Sequence, residues 1–334
     1  MRKTGKKLTG AVLAAAMGAM MLTGCGSSQP AATQAATEAA TEAAAETEAA
    51  AETEAETAEP AAAESTEAAA EAAPEILVVS FGTSYNSSRS ITIGGIESTI
   101  RECYPEYDVK RAFTAQTIID KLKDRDGIVI DNVEEALDRA ADEGVKTLIV
   151  QPTHLMNGFE YTDLKELLEE NQDKFDKVAL ADPLLTSDED YEAVAKAMAA
   201  VTEKYDDGET AIVFMGHGTE AESNAVYGKM QEVLSGAGFE NYYVGTVEAT
   251  PTVEDVLSAV KEKGTYKKVV LRPMMVVAGD HATNDMAGDE EDSWKSIFQK
   301  EGFEVTCVLE GLGQEYEIQK IYADHTQKAI DSLQ

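Results

Sequence analysis

The sequence predicts an α/β protein made of two similar, doubly wound parallel-sheet halves that face a central cleft. Three observations point there. From residue 75 onward, short continuous apolar runs alternate with helix-like segments; several of these runs stop abruptly in glycine or histidine; and the second part of the alternation repeats the first. Strict alternation gives parallel strands with crossover helices on both faces of the sheet. Strands covered on both faces read as unbroken apolar runs, because neither row of side chains meets water.

The first 74 residues stand apart from this pattern. Residues 1–25 read as a signal peptide: Arg2, Lys3, Lys6 and Lys7 precede an apolar stretch over 8–22 that is shorter than a spanning helix needs. The stretch closes in Leu22-Thr23-Gly24-Cys25, which resembles the bacterial lipoprotein signal. Cys25 is therefore the expected lipidation site, and the protein is expected to be extracytoplasmic and lipid-anchored to the cell membrane. Residues 26–74 are rich in Ala, Thr and Glu and contain no aromatic residue, Lys or Arg. Their glutamates repel one another and they carry no large apolar side chain to bury, so a disordered tether is expected.

The globule splits into an N-terminal half, 75–206, and a C-terminal half, 207–334. In the first, strands are expected at 76–81, 109–113, 146–151 and 178–181, with helices near 89–103, 115–124, 133–143, 161–171 and 191–205. In the second, strands at 210–215, 242–247, 268–275 and 305–309 alternate with helices near 222–234, 253–262, 289–300 and 314–332. Phe81-Gly82-Thr83-Ser84 answers Gly216-His217-Gly218-Thr219, and Gln151-Pro152-Thr153-His154 answers Arg272-Pro273-Met274-Met275 with the Gly279-Asp280-His281 loop. Both sets of strand ends would then open into one cleft.

Charge and cysteine count exclude several function classes. The 334-residue chain has a formal net charge of −34, which excludes a nucleic-acid partner, since phosphate binding needs a basic surface. Its three cysteines, Cys25, Cys103 and Cys307, form no CxxC pair, which excludes a thiolate zinc cluster or redox dithiol; Cys103 and Cys307 read as two buried free thiols.

Three of the four histidines, His154, His217 and His281, stand at strand ends, and the cleft geometry would gather them. Neutral imidazoles with a carboxylate hold a divalent ion through a three- or four-ligand site with an open position, and without thiolates they still release it. Asp182, Glu248, Asp280 and Glu220 are the candidate carboxylates. His325 reads as a surface residue in the last helix, and Arg272-Pro273-Met274-Met275 as core. Tyr85, Phe159 and Tyr161 could line a flat aromatic substrate.

Four stretches carry a family resemblance: Ser80-Phe81-Gly82-Thr83-Ser84-Tyr85; Gln151-Pro152-Thr153-His154 with Gly158-Phe159-Glu160-Tyr161; Met215-Gly216-His217-Gly218-Thr219; and the run from Val277 to Asp289 containing Gly279-Asp280-His281-Ala282-Thr283-Asn284-Asp285-Met286. Together they resemble the anaerobic, CbiK-type sirohydrochlorin cobaltochelatases. The resemblance implies the class II chelatase fold and insertion of a divalent metal substrate, Co²⁺ first and Fe²⁺ or Ni²⁺ behind it, into a sirohydrochlorin-like tetrapyrrole, with no nucleotide. It implies catalytic roles for His154 and His217, and a metal set of His154, His217, Asp182 and His281. Ser80, Gly82, Thr83, Tyr85, Arg89, Phe159 and Glu248 are the expected substrate-binding residues. Arg89, Arg111 and Arg272 are candidates to meet the tetrapyrrole carboxylates. The competing reading is a bilobed lipoprotein that holds a metal or tetrapyrrole for a transporter and releases it unchanged. Self-association into a homo-oligomer is left open.

Overall fold

A computed structural model describes residues 72–334; the signal-like start, Cys25 and nearly all of the tether lie outside the described residues. The first sheet holds β1 (Glu75–Ser80), β2 (Asp108–Phe113), β3 (Thr147–Pro152) and β4 (Lys177–Leu180), and the second β5 (Thr210–Gly216), β6 (Tyr242–Thr246), β7 (Lys268–Pro273) and β8 (Glu304–Cys307). All pairings are parallel, and the orders are β2-β1-β3-β4 and β6-β5-β7-β8. The identical orders give the internal repeat a structural basis. In each sheet the crossovers reverse direction at the same place, between β1 and β3 and between β5 and β7. A crevice opens outside the strand ends at such a switch point, which is where open α/β sheets bind ligands.

Among the described residues ten α-helices cover the sheets: α1 (Asn86–Ile91), α2 (Ile93–Cys103), α3 (Gln116–Asp126), α4 (Val133–Asp142), α5 (Phe159–Asn171), α6 (Asp188–Thr202), α7 (Ala225–Gly236), α8 (Val253–Lys263), α9 (Trp294–Lys300) and α10 (Tyr316–Asp331). Among the described residues no helix is long and apolar enough to cross a membrane. Alternate strand residues divide the core. Leu77, Val79, Leu148 and Val150 pack with α4 and α5 on the outer face of the first sheet, and Ala211, Val213, Val269 and Leu271 with α8 and α9 on the second. Their neighbours Ile76, Val78, Ile149, Ile212 and Phe214 share one continuous core with α2, α6, α7 and α10. That shared layer joins the halves.

The chain passes from the first sheet to the second between α6 and β5, yet its last helix returns: α10 packs on α2, β3 and α6. This reverses the expectation for His325. Its ring is 1% exposed, with Nε2 3.0 Å from Asp190 Oδ1 and Nδ1 3.2 Å from the Asp182 carbonyl. The charged look of the segment came from α10's outer face. Tyr322, also fully buried, donates to the carbonyls of Thr153 and His154 at 3.0 and 3.2 Å, so α10 clamps the end of β3.

Other expectations are corrected locally. The helix expected at 89–103 is two, with Thr92 at the junction, its hydroxyl turned back onto the Ser88 carbonyl. The helix expected from 289 begins at Trp294, where the Ser293 hydroxyl accepts from the Ser296 N–H and caps it. Cys103 is exposed at the end of α2, and Cys307 is half-buried. Arg272 is fully buried within β7, paired with Glu315 at 2.5 Å and donating to the Glu310 carbonyl, so it faces no ligand. Arg111 is likewise committed, through two hydrogen bonds to the buried Glu97.

Candidate metal centre and cleft

The site forms where both switch points open toward each other. β5 ends at Gly216, where only glycine fits because a Cβ would lie 2.1 Å from the buried Tyr227 ring. His217 follows, and Gly218 then turns at φ +90°, a left-handed conformation suited to glycine. A Cβ on Gly218 would also meet the Ala249 nitrogen at 2.8 Å. The two glycines thus let the β6 loop close against His217. Its pairing continues past the sheet, with Val247 N–H donating to the Gly216 carbonyl at 3.0 Å and Glu248 N–H to the His217 carbonyl at 2.8 Å. Glu248 is carried to the histidine by main-chain bonds.

His281 reaches the same point from the loop after β7. It starts a single π-turn, Ala282–Met286, a wide turn often found at functional sites. Donor atoms of His217, Glu248 and His281 all lie within 4.8 Å of one another. Both rings are oriented by a second contact: His217 Nδ1 is 2.7 Å from the Gly218 carbonyl, and His281 Nδ1 is 2.7 Å from Asp285 Oδ2. With Nδ1–H donating to these oxygens, each ring turns an Nε2 lone pair outward, the arrangement by which proteins orient metal-binding histidines. Two imidazoles and one carboxylate, with no thiolate, suit a divalent ion that must be bound and then given up.

His217 also lines a cavity of about 380 Å³ together with His154. His154 is only 10% exposed, and neither ring nitrogen has a hydrogen-bond partner among the described residues. Its Nε2 stands 3.2 Å from Glu160 Oε2, but off the line of a hydrogen bond. Ser80, Gly82 and Phe159 line the same space with Phe81, Met156, Tyr227 and Val276. An adjoining cavity of about 550 Å³ is lined by Thr83, Tyr85, Asp280 and His281. The two share Phe81, Gly82, Glu160, His217, Met275 and Val277, so they form one cleft. Phe81 is 49% and Phe159 63% exposed, large apolar faces left open in a binding cleft. Burial pushes the Tyr227 phenol up from its ordinary pKa, and its neutral oxygen accepts from the Gly218 N–H at 3.2 Å.

The expected residues separate into those brought together and those not. His217, His281 and Glu248 form the metal-type cluster, with Glu248 in the place expected of Asp182. Asp182 lies two residues past the edge strand β4, lines neither cavity, and offers its carbonyl to Gln151 and His325. His154 shares the cavity with His217 but stands outside the three-residue group. Arg89 is 7% exposed and does not line the cleft; it donates to the Thr83 carbonyl and props the loop from behind. Ser80 accepts from the Thr153 hydroxyl at 2.7 Å, tying the ends of β1 and β3. Tyr85 donates to Asp280 at 3.2 Å, and the Ala278 N–H to Ser88 at 3.1 Å, bridging the halves. Glu160, absent from the expected set, lines both cavities. In the sequence it reads as an acidic residue in the first turn of α5, where carboxylates commonly meet the helix dipole.

Residues 74–331, which include nearly every described element, match the family described as cobalt chelatase (CbiK). The chain belongs to the CbiK family of cobalt chelatases. It is 36% identical over 256 residues to a sirohydrochlorin cobaltochelatase of Salmonella typhimurium, covering 77% of this chain and 96% of that protein. It is 30% identical over 260 residues to the sirohydrochlorin cobaltochelatase CbiKC of Nitratidesulfovibrio vulgaris, covering 77% of this chain and 91% of that one. Among solved structures, SirB of Bacillus subtilis with Fe³⁺ aligns with a TM-score of 0.53 at 12% identity, over 78% of this chain and 97% of that chain. The sirohydrochlorin chelatase SirB of Bacillus subtilis subspecies spizizenii in complex with cobalt gives the same TM-score and coverages at 10% identity, a likeness of fold.

Proposed function

We propose that this protein inserts Co²⁺ into sirohydrochlorin without ATP, and that it does so outside the cell membrane, tethered through a lipid on Cys25. The observation that carries the chemical part is the single cleft that holds a metal-type cluster, His217, Glu248 and His281, and a separate histidine with both ring nitrogens unpartnered, His154. Insertion replaces two pyrrole N–H protons by one divalent ion. It therefore needs a place to strip water from the ion and a base to take protons. The cluster does the first through two imidazoles and a carboxylate. His154 does the second, since histidine ordinarily exchanges protons near neutral pH. Glu160, beside its Nε2, is placed to receive the proton onward. Phe81 and Phe159 offer apolar faces to the macrocycle.

The test is absorbance of metal-free sirohydrochlorin mixed with the full chain and Co²⁺, Fe²⁺ or Ni²⁺ in turn. Insertion of Co²⁺ faster than the uncatalysed rate is expected. No acceleration with any of the three leaves a protein that carries metal or tetrapyrrole unchanged. The location is tested separately: Cys25→Ala should move the protein out of the membrane fraction, and continued membrane retention without lipid would rule out the anchor.

A further inference from the structure

The cleft is acidic where a tetrapyrrole polycarboxylate would have to enter. Glu160 and Asp280 line it, and Glu248 stands at the metal cluster. The neighbouring cations of the first half are spent on structure. Arg89 donates to the Thr83 carbonyl, and Arg125 to the Ser84 carbonyl and to Asn86 and Asp126. One turn before Arg125 on the same helix, Lys121 is exposed and lines the cavity beside Thr83, Ser84, Tyr85, Asp280 and His281. Among the described residues it is the one lysine or arginine lining either cleft cavity, and it makes no ion pair.

We propose that Lys121 captures a peripheral carboxylate of the tetrapyrrole and so sets which edge of the macrocycle enters beside the metal cluster. This rests on the reading of the protein as a sirohydrochlorin chelatase and adds a specificity residue to it. The argument is one of exclusion as well as attraction. A carboxylate placed near Asp280 or Glu160 is repelled, so the edge that enters deepest has one favourable position for its charge. An ammonium on a flexible stem suits this task, because it follows a carboxylate without demanding bidentate geometry. Phe81, common to both cavities, then lies against the ring while the remaining carboxylates point to water.

The experiment measures equilibrium binding of metal-free sirohydrochlorin to the full chain by absorbance and fluorescence titration, with turnover in parallel. Lys121→Ala should weaken binding roughly tenfold, the loss of about one charge-assisted hydrogen bond. Lys121→Glu should weaken it further, and Lys121→Arg should stay within about twofold of wild type, since it keeps the charge. The KM for Co²⁺ should not move. Wild-type affinity in Lys121→Ala, or equal weakening in Lys121→Arg and Lys121→Ala, overturns the proposal. The wild type separates this idea from the one beneath it. If it binds the tetrapyrrole but inserts no metal, the chelatase reading fails and the variant affinities still decide Lys121. If it does not bind at all, both fall.

Discussion

The rings of His217 and His281 meet edge to face, with centroids 4.6 Å apart and planes at 86°. His217 follows the end of β5 and His281 lies in the loop after the neighbouring β7, and each is fixed at Nδ1 by its own oxygen acceptor. Such a pair is preset to receive an ion, because neither ring must reorient to present Nε2. His217→Ala or His281→Ala should therefore abolish measurable Co²⁺ binding to the tetrapyrrole-free protein while leaving the circular dichroism spectrum unchanged. Asp285→Asn keeps the ring contact but weakens its acceptor. It should cost about 10- to 100-fold in Co²⁺ affinity, as loss of an outer-shell carboxylate does. Calorimetric titration with Co²⁺ checks all three, and wild-type affinity in His217→Ala would remove the cluster from the mechanism.

His154 should behave differently from that pair. It lies outside the cluster, so His154→Ala should retain Co²⁺ binding and lose turnover, by roughly 10²- to 10⁴-fold if it is the general base. Glu160→Gln should lower turnover less, since water can also accept the proton in an open cleft. The decisive comparison is kcat against Co²⁺ affinity: parallel loss of both in His154→Ala would make it a metal ligand instead.

How far the sequence could be read follows from what each residue depends on. Strand positions were legible because burial on both faces leaves an unbroken apolar run, as in Ile76-Leu77-Val78-Val79. The histidines were legible because glycine and strand ends mark a switch point. Glu248 was weighed among four carboxylates and assigned to substrate, since only the main-chain pairing of the β6 loop with His217 brings it to the cluster. His325 was misplaced at the surface, and Arg272, whose stretch read as core, was also offered to the tetrapyrrole carboxylates, for one reason. A charged side chain reads as exposed unless its partner is known, and Asp190 lies 135 residues from His325 and Glu315 lies 43 from Arg272.

The His325–Asp190 pair gives a pH-dependent prediction. Both ring nitrogens of His325 face oxygens, Nδ1 the Asp182 carbonyl and Nε2 the Asp190 carboxylate. Burial raises the pKa of Asp190, but the Ser187 N–H and hydroxyl and the His325 ring outweigh it, so the net direction is below the ordinary 3.8. A carboxylate depressed by folding contributes stability above its unfolded pKa, and that contribution is lost as pH falls through the folded value. Asp190→Asn should thus destabilise by about 1.5–3 kcal/mol near pH 7, the range for hydrogen bonds to a charged group. The difference from wild type should shrink below about pH 3.8, the ordinary aspartate range. Urea unfolding at pH 7 and pH 3 measures it; an undiminished gap at pH 3 would mean the loss is one of packing.

Glycine at 218 is needed twice, for its φ of +90° and for the 2.8 Å approach of the Ala249 nitrogen. Gly218→Ala should cost about 1–3 kcal/mol of backbone strain. It should also push the β6 loop away and draw Glu248 from the histidines. Co²⁺ affinity is therefore expected to fall more than stability alone explains, and Glu248→Ala in the Gly218→Ala background should add little further loss. Full additivity of the two substitutions would show that the loop position does not govern the ligand.

Tyr322 tests whether the returning helix matters to chemistry. Its hydroxyl holds the carbonyls of Thr153 and His154, and burial pushes its pKa well above the ordinary phenol value, so it stays a donor throughout the working range. Tyr322→Phe removes one oxygen and leaves two buried carbonyls with one fewer donor, at a cost of about 1–3 kcal/mol. The end of β3 then keeps the Thr153 hydroxyl on Ser80, the Thr153 N–H on the Val79 carbonyl and the Leu184 N–H on the His154 carbonyl. His154 sits on that strand end with no side-chain hydrogen bond of its own, so its position depends on the main chain. Turnover should fall several-fold while Co²⁺ binding at His217, Glu248 and His281, carried by the other sheet, stays as in wild type. A fall in Co²⁺ affinity equal to the fall in turnover would instead place the effect of α10 on the whole cleft.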